Sequence, residues 1–156
     1  MTVKENEWAL PPPSQIGVVV KDIKKAIEYY SETFGLGPFR RFEFIPAKHW
    51  IKGIQAPPVR VEIGKCQWGA LELELLEVVE GDTPHKQFLR EKGEGMQHLG
   101  FVVKNYDGWL DHLKKKGIGV LMNAETYVEG EGHIRCAYME SDVVGGILFE
   151  LIEVKP

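Results

Sequence analysis

The chain is short of cysteine, of long apolar runs and of clustered basic charge, and each shortage narrows what it can be. Cys66 and Cys136 are its two cysteines, far apart and in no CxxC pairing. Neither a thiolate zinc site nor a disulfide framework is expected, and a reducing cytoplasm is the default compartment. No stretch approaches the roughly 18 apolar residues of a membrane span, so no membrane partner is expected. The opening MTVKENEWALPPPS is polar and then proline-rich, without the apolar centre of a secretory signal, and reads as a short arm over residues 1–13. A net charge of −4 with scattered lysines lacks the basic footprint that nucleic acid requires. Ser14, Ser31 and Ser141 stand in no nucleophile motif. The glycines of YVEGEGH, Tyr127 to His133, lack the strand-to-helix setting of a phosphate loop and read as a lid or a turn.

What is present is a repeat. QIGVVVKD, Gln15 to Asp22, returns as HLGFVVKN, His98 to Asn105, at an offset of 83. Beyond each strand the apolar spacing of an amphipathic helix follows, in Ile23, Ala26, Ile27 and Tyr30 and again in Tyr106, Trp109, Leu110 and Leu113. Asp22 and Asn105 are suited to cap these helices, and Gly35 and Gly117 to stop them. A second echo pairs LELLEV, Leu73 to Val78, with FELIEV, Phe149 to Val154, at an offset of 76. Further short strands fit at about 39–45, 58–65, 118–123 and 133–140, so each half reads βαβββ. The expected organisation is a first module over 14–80, a linker helix within 81–96 and a second module over 97–156. With 156 residues and 44% hydrophobic content, two such modules can share one core. The fold class expected is α+β, the modules pairing into a curved mixed sheet with helices on its outer face and a cup on the other.

The repeat changes the weight of four residues. Alone, Gln15 is a polar group at a strand edge and His98 an ordinary strand imidazole, while Glu74 and Glu150 are carboxylates in apolar strands that need compensation if buried. Paired by the repeat, Gln15 with His98 and Glu74 with Glu150, they converge if the modules are related by a two-fold. Alternation puts Glu74 on one face with Leu76 and Glu72, away from Leu73 and Leu75. One amide oxygen, one imidazole nitrogen and two carboxylates form an oxygen and nitrogen set suited to one divalent metal such as Zn, Ni, Co, Mn or Fe(II). His49, Trp50, Tyr127, His133, Arg135 and Tyr138 are candidates to overhang the cup, each reading more simply as strand or loop surface. His85 on the linker helix and His112 beside Lys114 to Lys116 read as solvent-facing.

At this point the pattern resembles the vicinal oxygen chelate superfamily, built from paired βαβββ modules with a metal in the cup. The stretch ELLEVVEGDTPHKQFLREKGEGMQHLGFVVKN and the GILFELIE ending are most similar to methylmalonyl-CoA epimerases. The resemblance implies metal ligands at Gln15, Glu74, His98 and Glu150, with Glu150 as catalytic base and Glu74, or Glu72 on the same face, as its partner. It implies removal of a proton alpha to a thioester or ketone, a small-molecule substrate such as an acyl-CoA, and a homodimer. The chain departs from the epimerase pattern where Gln15 replaces a histidine and Glu74 a frequent glutamine. In KGIQAPPVRVEIG, Gln55 and Glu62 give no clear counterpart of the epimerases' second catalytic glutamate. The Gln, Glu, His, Glu set itself resembles a glyoxalase I type lactoylglutathione lyase, the alternative activity. A small-molecule binding or resistance protein on the same scaffold is the alternative of another class.

Overall fold

Two local signals decide where the helices run. Asp22 accepts the backbone N–H of Lys25 at 3.0 Å and starts α1 (Ile23–Phe34), which Gly35 ends in a left-handed conformation at φ 67°. Asn105 accepts from Gly108 at 3.1 Å and starts α3 (Tyr106–Lys115). Thr83 caps α2 (Pro84–Lys92), with Pro84 in the first turn where its missing N–H costs nothing. The computed structural model describes residues 7–156, and the first six residues of the expected N-terminal arm lie outside the described residues.

The strands are β1 (Gln15–Val19), β2 (Arg40–Phe44), β3 (Lys48–Ile51), β4 (Ile54–Gln55), β5 (Arg60–Trp68) and β6 (Leu71–Glu80), then β7 (Gly95–Val102), β8 (Val120–Val128), β9 (Gly132–Met139) and β10 (Leu148–Lys155). They form one mixed sheet in the order β2-β5-β6-β1-β7-β10-β9-β8-β3-β4. The seam is the antiparallel pair β1 and β7, where Gln15 faces Gly100, Ile16 faces Leu99 and Gly17 faces His98. Since Ile16 and Leu99 are equivalent in the repeat, the local two-fold passes through their pair. On either side the order is the same: β1, β6, β5, β2 outward in one direction and β7, β10, β9, β8 in the other.

The α+β fold of two βαβββ halves in a curled sheet is therefore as the repeat implied. One element was not legible: the β3–β4 hairpin of the first half crosses over and pairs with β8 of the second, His49 opposite Ala124 and Trp50 opposite Asn123. It lengthens the second half's wall at the far side of the cup.

Alternation divides each strand between two apolar layers. Leu73, Leu75 and Cys66 pack outward with Val20 and with Ile23 and Ile27 of α1, and Phe101, Ala137, Met139 and Leu151 pack with Tyr106 and Trp109 of α3. Trp8 and Leu10 of the arm join the α3 cluster, and Trp8 stacks on His112 with ring centroids 4.7 Å apart, so His112 is covered rather than free in solvent. On the concave side, Phe88 and Leu89 of α2 pack against Val19, Val61, Ile63 and Leu76. Phe44 of β2 touches both this cluster and that of Met122, Ala124, Cys136 and Tyr138, so the sheet curls until its first half reaches its second. An ion pair between Arg40 and Glu131 spans the same gap. Tyr127 to His133 forms the end of β8, a tight turn and the start of β9, with Tyr127 facing His133 in register. Among the described residues no helix is long and apolar enough to cross a membrane.

Candidate active site

The concave face encloses a cavity of about 330 Å³. Gln15, Glu72, Glu74, Lys65 and Leu76 line it from the first half, and Glu150, Tyr138, Cys136, Met122 and Ile152 from the second. Strand pairing places these side chains in rows. Glu72, Gln15, Gly100, Glu150 and Tyr138 are successive neighbours across β6, β1, β7, β10 and β9, and Lys65, Glu74, Gly17 and His98 form the adjacent row. The structure thus brings Gln15, His98 and Glu150 to the seam, with Glu74 beside Gln15.

The two repeated glycines make this crossing possible. A Cβ on Gly17 would fall inside the imidazole of His98, and a Cβ on Gly100 would lie 3.0 Å from the Gln15 side-chain oxygen. Each half leaves bare the position into which the other half's polar side chain folds. The glycine in both copies of the repeated line was visible in the sequence, but its purpose was not.

All four residues are buried: Gln15 is 4% exposed, Glu74 5%, His98 0% and Glu150 5%. Gln15 donates its amide N–H groups to Glu74 at 2.6 Å and Glu72 at 3.0 Å, acceptor-only partners that leave Oε1 turned toward Gly100 and the second half. Lys65 lies 3.3 Å from Glu72 and 3.6 Å from Glu74. Burial alone would lower the Lys65 pKa, but Glu74 and Glu72 override it and hold the ammonium charged. Burial raises the pKa of Glu74, with Lys65 opposing. Lys65 was not singled out in the sequence, although alternation with Val61 and Ile63 puts it on the cavity face.

On the other side, Gln97 Oε1 is 3.1 Å from His98 Nδ1 and 2.7 Å from His85 Nδ1. An amide oxygen only accepts, so both rings donate through Nδ1 and His98 keeps Nε2 for the site. That Nε2 is 3.3 Å from Glu150 Oε2, within ion-pair distance, yet neither atom has an aligned hydrogen-bond partner. Burial opposes charge on both, but each overrides it for the other: the His98 pKa is raised, and that of Glu150 is lowered with help from Lys65 and the Tyr138 hydroxyl. His85 is buried rather than solvent-facing, and burial brings its pKa down to about 4. Burial also raises the pKa values of Cys136 and Tyr138 well above their usual ranges, so both stay protonated.

Among the described residues no three His, Cys, Asp or Glu side chains group to hold a metal. What the site offers is a mixed trio of orphaned, buried atoms: Gln15 Oε1, His98 Nε2 and Glu150 Oε2. Leaving a buried polar atom without a hydrogen bond is unfavourable by about 1–3 kcal/mol, a penalty that the 3.3 Å ion pair reduces for His98 and Glu150 but not for Gln15, and a shared divalent cation is a ligand that satisfies all three. The donor set therefore fits the metal that this fold implies. Glu74, tied to Gln15 and Lys65, serves in this arrangement to orient the amide.

Of the other candidates, His49 is buried in the cavity wall, while Tyr127 is exposed and Arg135 is occupied by Asp107 and Glu153. Glu72 lines the cavity and is held by Gln15 and Lys65.

Comparison with known proteins agrees with this architecture. The Bacillus subtilis uncharacterized protein YqjC is 26% identical over 140 residues, covering 90% of each chain. Mouse mitochondrial methylmalonyl-CoA epimerase is 28% identical over 146 residues, 92% of this chain and 74% of that protein. The structure of Streptomyces coelicolor methylmalonyl-CoA epimerase in complex with 2-nitronate-propionyl-CoA superposes with a TM-score of 0.66 at 23% identity, covering 95% of this chain and 100% of the other. With residues 14–138 matching its family model, the chain belongs to the glyoxalase/bleomycin resistance protein/dioxygenase superfamily.

Proposed function

We propose that this protein is a metal-dependent isomerase that removes a proton alpha to a thioester or ketone carbonyl, in the manner of methylmalonyl-CoA epimerase. The observation that carries the reading is the trio of orphaned donor atoms, drawn from both halves and meeting beside a substrate-sized cavity. Relatives that are methylmalonyl-CoA epimerases, one of them bound to an acyl-CoA analogue, support an acyl-CoA as the substrate class. Gln15, His98 and Glu150 would hold the metal, and Glu74 would join them as a fourth ligand only on leaving Gln15 and Lys65. When bound, it would supply a Lewis acid that stabilises the negative charge developing on a substrate carbonyl oxygen.

The chain's own residues supply the rest. Glu150 is the base, kept ionised by His98, Lys65 and Tyr138 in a pocket where burial alone would protonate it. Tyr138 stays a phenol and can only donate toward Glu150. Lys65 pairs with Glu72 and Glu74 and offsets part of their charge, which helps the cup to tolerate an anionic substrate beside three carboxylates. Apolar Phe42, Phe44, Val61, Ile63 and Ile152 keep water away from the reacting carbon.

A lactoylglutathione lyase is the second reading, favoured by Gln15 standing where the epimerases carry histidine. Elemental analysis of the purified protein tests both. About one divalent metal per chain, lost in His98→Ala, is the expected result, followed by deuterium uptake from solvent into methylmalonyl-CoA. A metal-free protein after reconstitution with Zn, Ni, Co or Mn sinks both readings and leaves a small-molecule binding protein. A loaded enzyme that turns over the methylglyoxal–glutathione adduct and leaves methylmalonyl-CoA unchanged selects the lyase.

A further inference from the structure

Four buried side-chain polar atoms among the described residues have no partner. Three form the trio at the seam. The fourth is His49 Nε2, on β3 in the wall of the same cavity. We infer that His49 is the second proton-transfer residue of this site, facing Glu150 across the cavity; the inference rests on the isomerase reading above.

The placement follows from the register. His49, Ala124, Cys136 and Ile152 are successive neighbours across β3, β8, β9 and β10, and Ile51, Met122, Tyr138 and Glu150 form the next row. His49, Ala124, Cys136, Ile152, Met122, Tyr138 and Glu150 all line the cavity, so His49 and Glu150 share its concave face. Three strand spacings separate β3 from β10, about 14 Å along the sheet, and the curl turns the two side chains toward one space. His49 is carried there by the crossing hairpin, an element that otherwise only lengthens the wall.

Inverting a carbon centre requires proton carriers on both faces of a planar intermediate. In one direction the Cα–H bond breaks, its electron pair moves to the carbonyl oxygen as an enolate and the proton goes to the Glu150 carboxylate. The His49 imidazolium then gives its proton to the opposite face of the same carbon, and the enolate pair forms the new C–H bond. In the other direction neutral His49 accepts and the Glu150 carboxyl donates, and proton exchange with solvent interconverts the two protonation forms between turnovers.

The remaining titratable groups of the lining are unsuited to the second role. Lys65, Glu72 and Glu74 are bound to one another or to Gln15, and Glu131 is paired with Arg40. Cys136 and Tyr138 hold their protons too tightly, and His85 is engaged by Gln97 on the His98 side. Among the titratable groups of the lining only His49 is 3% exposed, without a hydrogen-bond partner and three strands away from Glu150. Burial lowers its pKa, which makes the imidazolium a more willing proton donor.

The test is to incubate each epimer of methylmalonyl-CoA separately in D2O with metal-loaded wild type, His49→Gln and His49→Asn, reading inversion and deuterium uptake independently. Expected is a loss of inversion of about 100-fold or more in both variants, the ordinary contribution of a general acid or base. Deuterium uptake into one epimer, the one whose Cα–H faces Glu150, should persist, which also shows that the variant is folded. Inversion at the wild-type rate in either variant overturns the role of His49 alone. Equal loss of uptake from both epimers also overturns it, since His49 would then be holding structure or substrate. No uptake into either epimer with wild type overturns the isomerase reading, and the inference with it.

Discussion

The two halves of the site occupy equivalent positions and carry opposite chemistry. Glu74 on β6 faces Lys65 on β5, whereas Glu150 on β10 faces Tyr138 on β9. Gln15 and His98 likewise fill matching places across bare glycines. The first half is internally paired: an ammonium sits among two carboxylates and an amide. The second half ends in atoms that face each other without an aligned hydrogen bond. A duplicated scaffold thus sets positions twice, and the side chains divide the work: the first half balances charge around a single open donor, Gln15 Oε1, while the second presents two, His98 Nε2 and Glu150 Oε2.

Breaking the first half's charge balance should have the largest effect. Lys65→Met leaves Glu74 and Glu72 without their cation, and urea unfolding of the metal-free protein should show a loss of about 3–5 kcal/mol. Tyr138→Phe, the equivalent change in the second half, removes one neutral hydroxyl and should cost about 1 kcal/mol. Equal losses would mean that the halves are not divided as described. Added Zn or Mn should recover more stability in Lys65→Met than in wild type, because Glu74 is released as a ligand.

Acid should act on the second half next. His85 has a folded pKa of about 4 against an ordinary 6.5, so its neutral form contributes stability fully above pH 6.5 that is lost as pH falls toward 4. The loss amounts to about 3 kcal/mol at 1.4 kcal/mol per unit. In His85→Gln, which can still donate to Gln97, the unfolding free energy should fall less steeply over that window; an unchanged slope would place the acid sensitivity elsewhere.

Gln97→Leu removes the acceptor that sets the His98 tautomer, and calorimetric titration should show metal affinity weakened by about 10–100-fold. Unaltered affinity would show that His98 is oriented without it. The glycines give the finest contrast. Gly17→Ala drives a methyl into the His98 ring and should lower thermal stability by about 1–3 kcal/mol, while Gly100→Ala meets Gln15 and Ile152 at 3.0 Å and should cost less. A reversal of that order would put the tighter packing on the Gln15 side.

Much of the fold was legible because its signals are local and repeated. The helix expected at 84–92 is α2 at Pro84–Lys92, announced by Asp82, Thr83 and Pro84. The β3–β4 hairpin was missed because Lys48 to Gln55 carries no strong alternation and gains its pairing only from β8, over seventy positions away. Gln15, Glu74, His98 and Glu150 stood out through the repeat. His49, Lys65, His85 and Gln97 belong to no repeat, and their roles come from neighbours on other strands. His85 shows the limit most clearly: on a short polar helix it reads as surface, yet that helix closes one end of the cup and buries it.

By itself, then, the sequence determined two βαβββ halves, the face on which each strand residue lies and the equivalence of the four polar positions, since period, capping and repetition act between near neighbours along the chain. Only the tertiary structure decided which of those positions are held by neighbours and which are left open, and that His49 and Glu150 line one cavity. Those outcomes depend on cross-strand register and on the curl of the sheet, which bring together side chains from strands far apart in the chain.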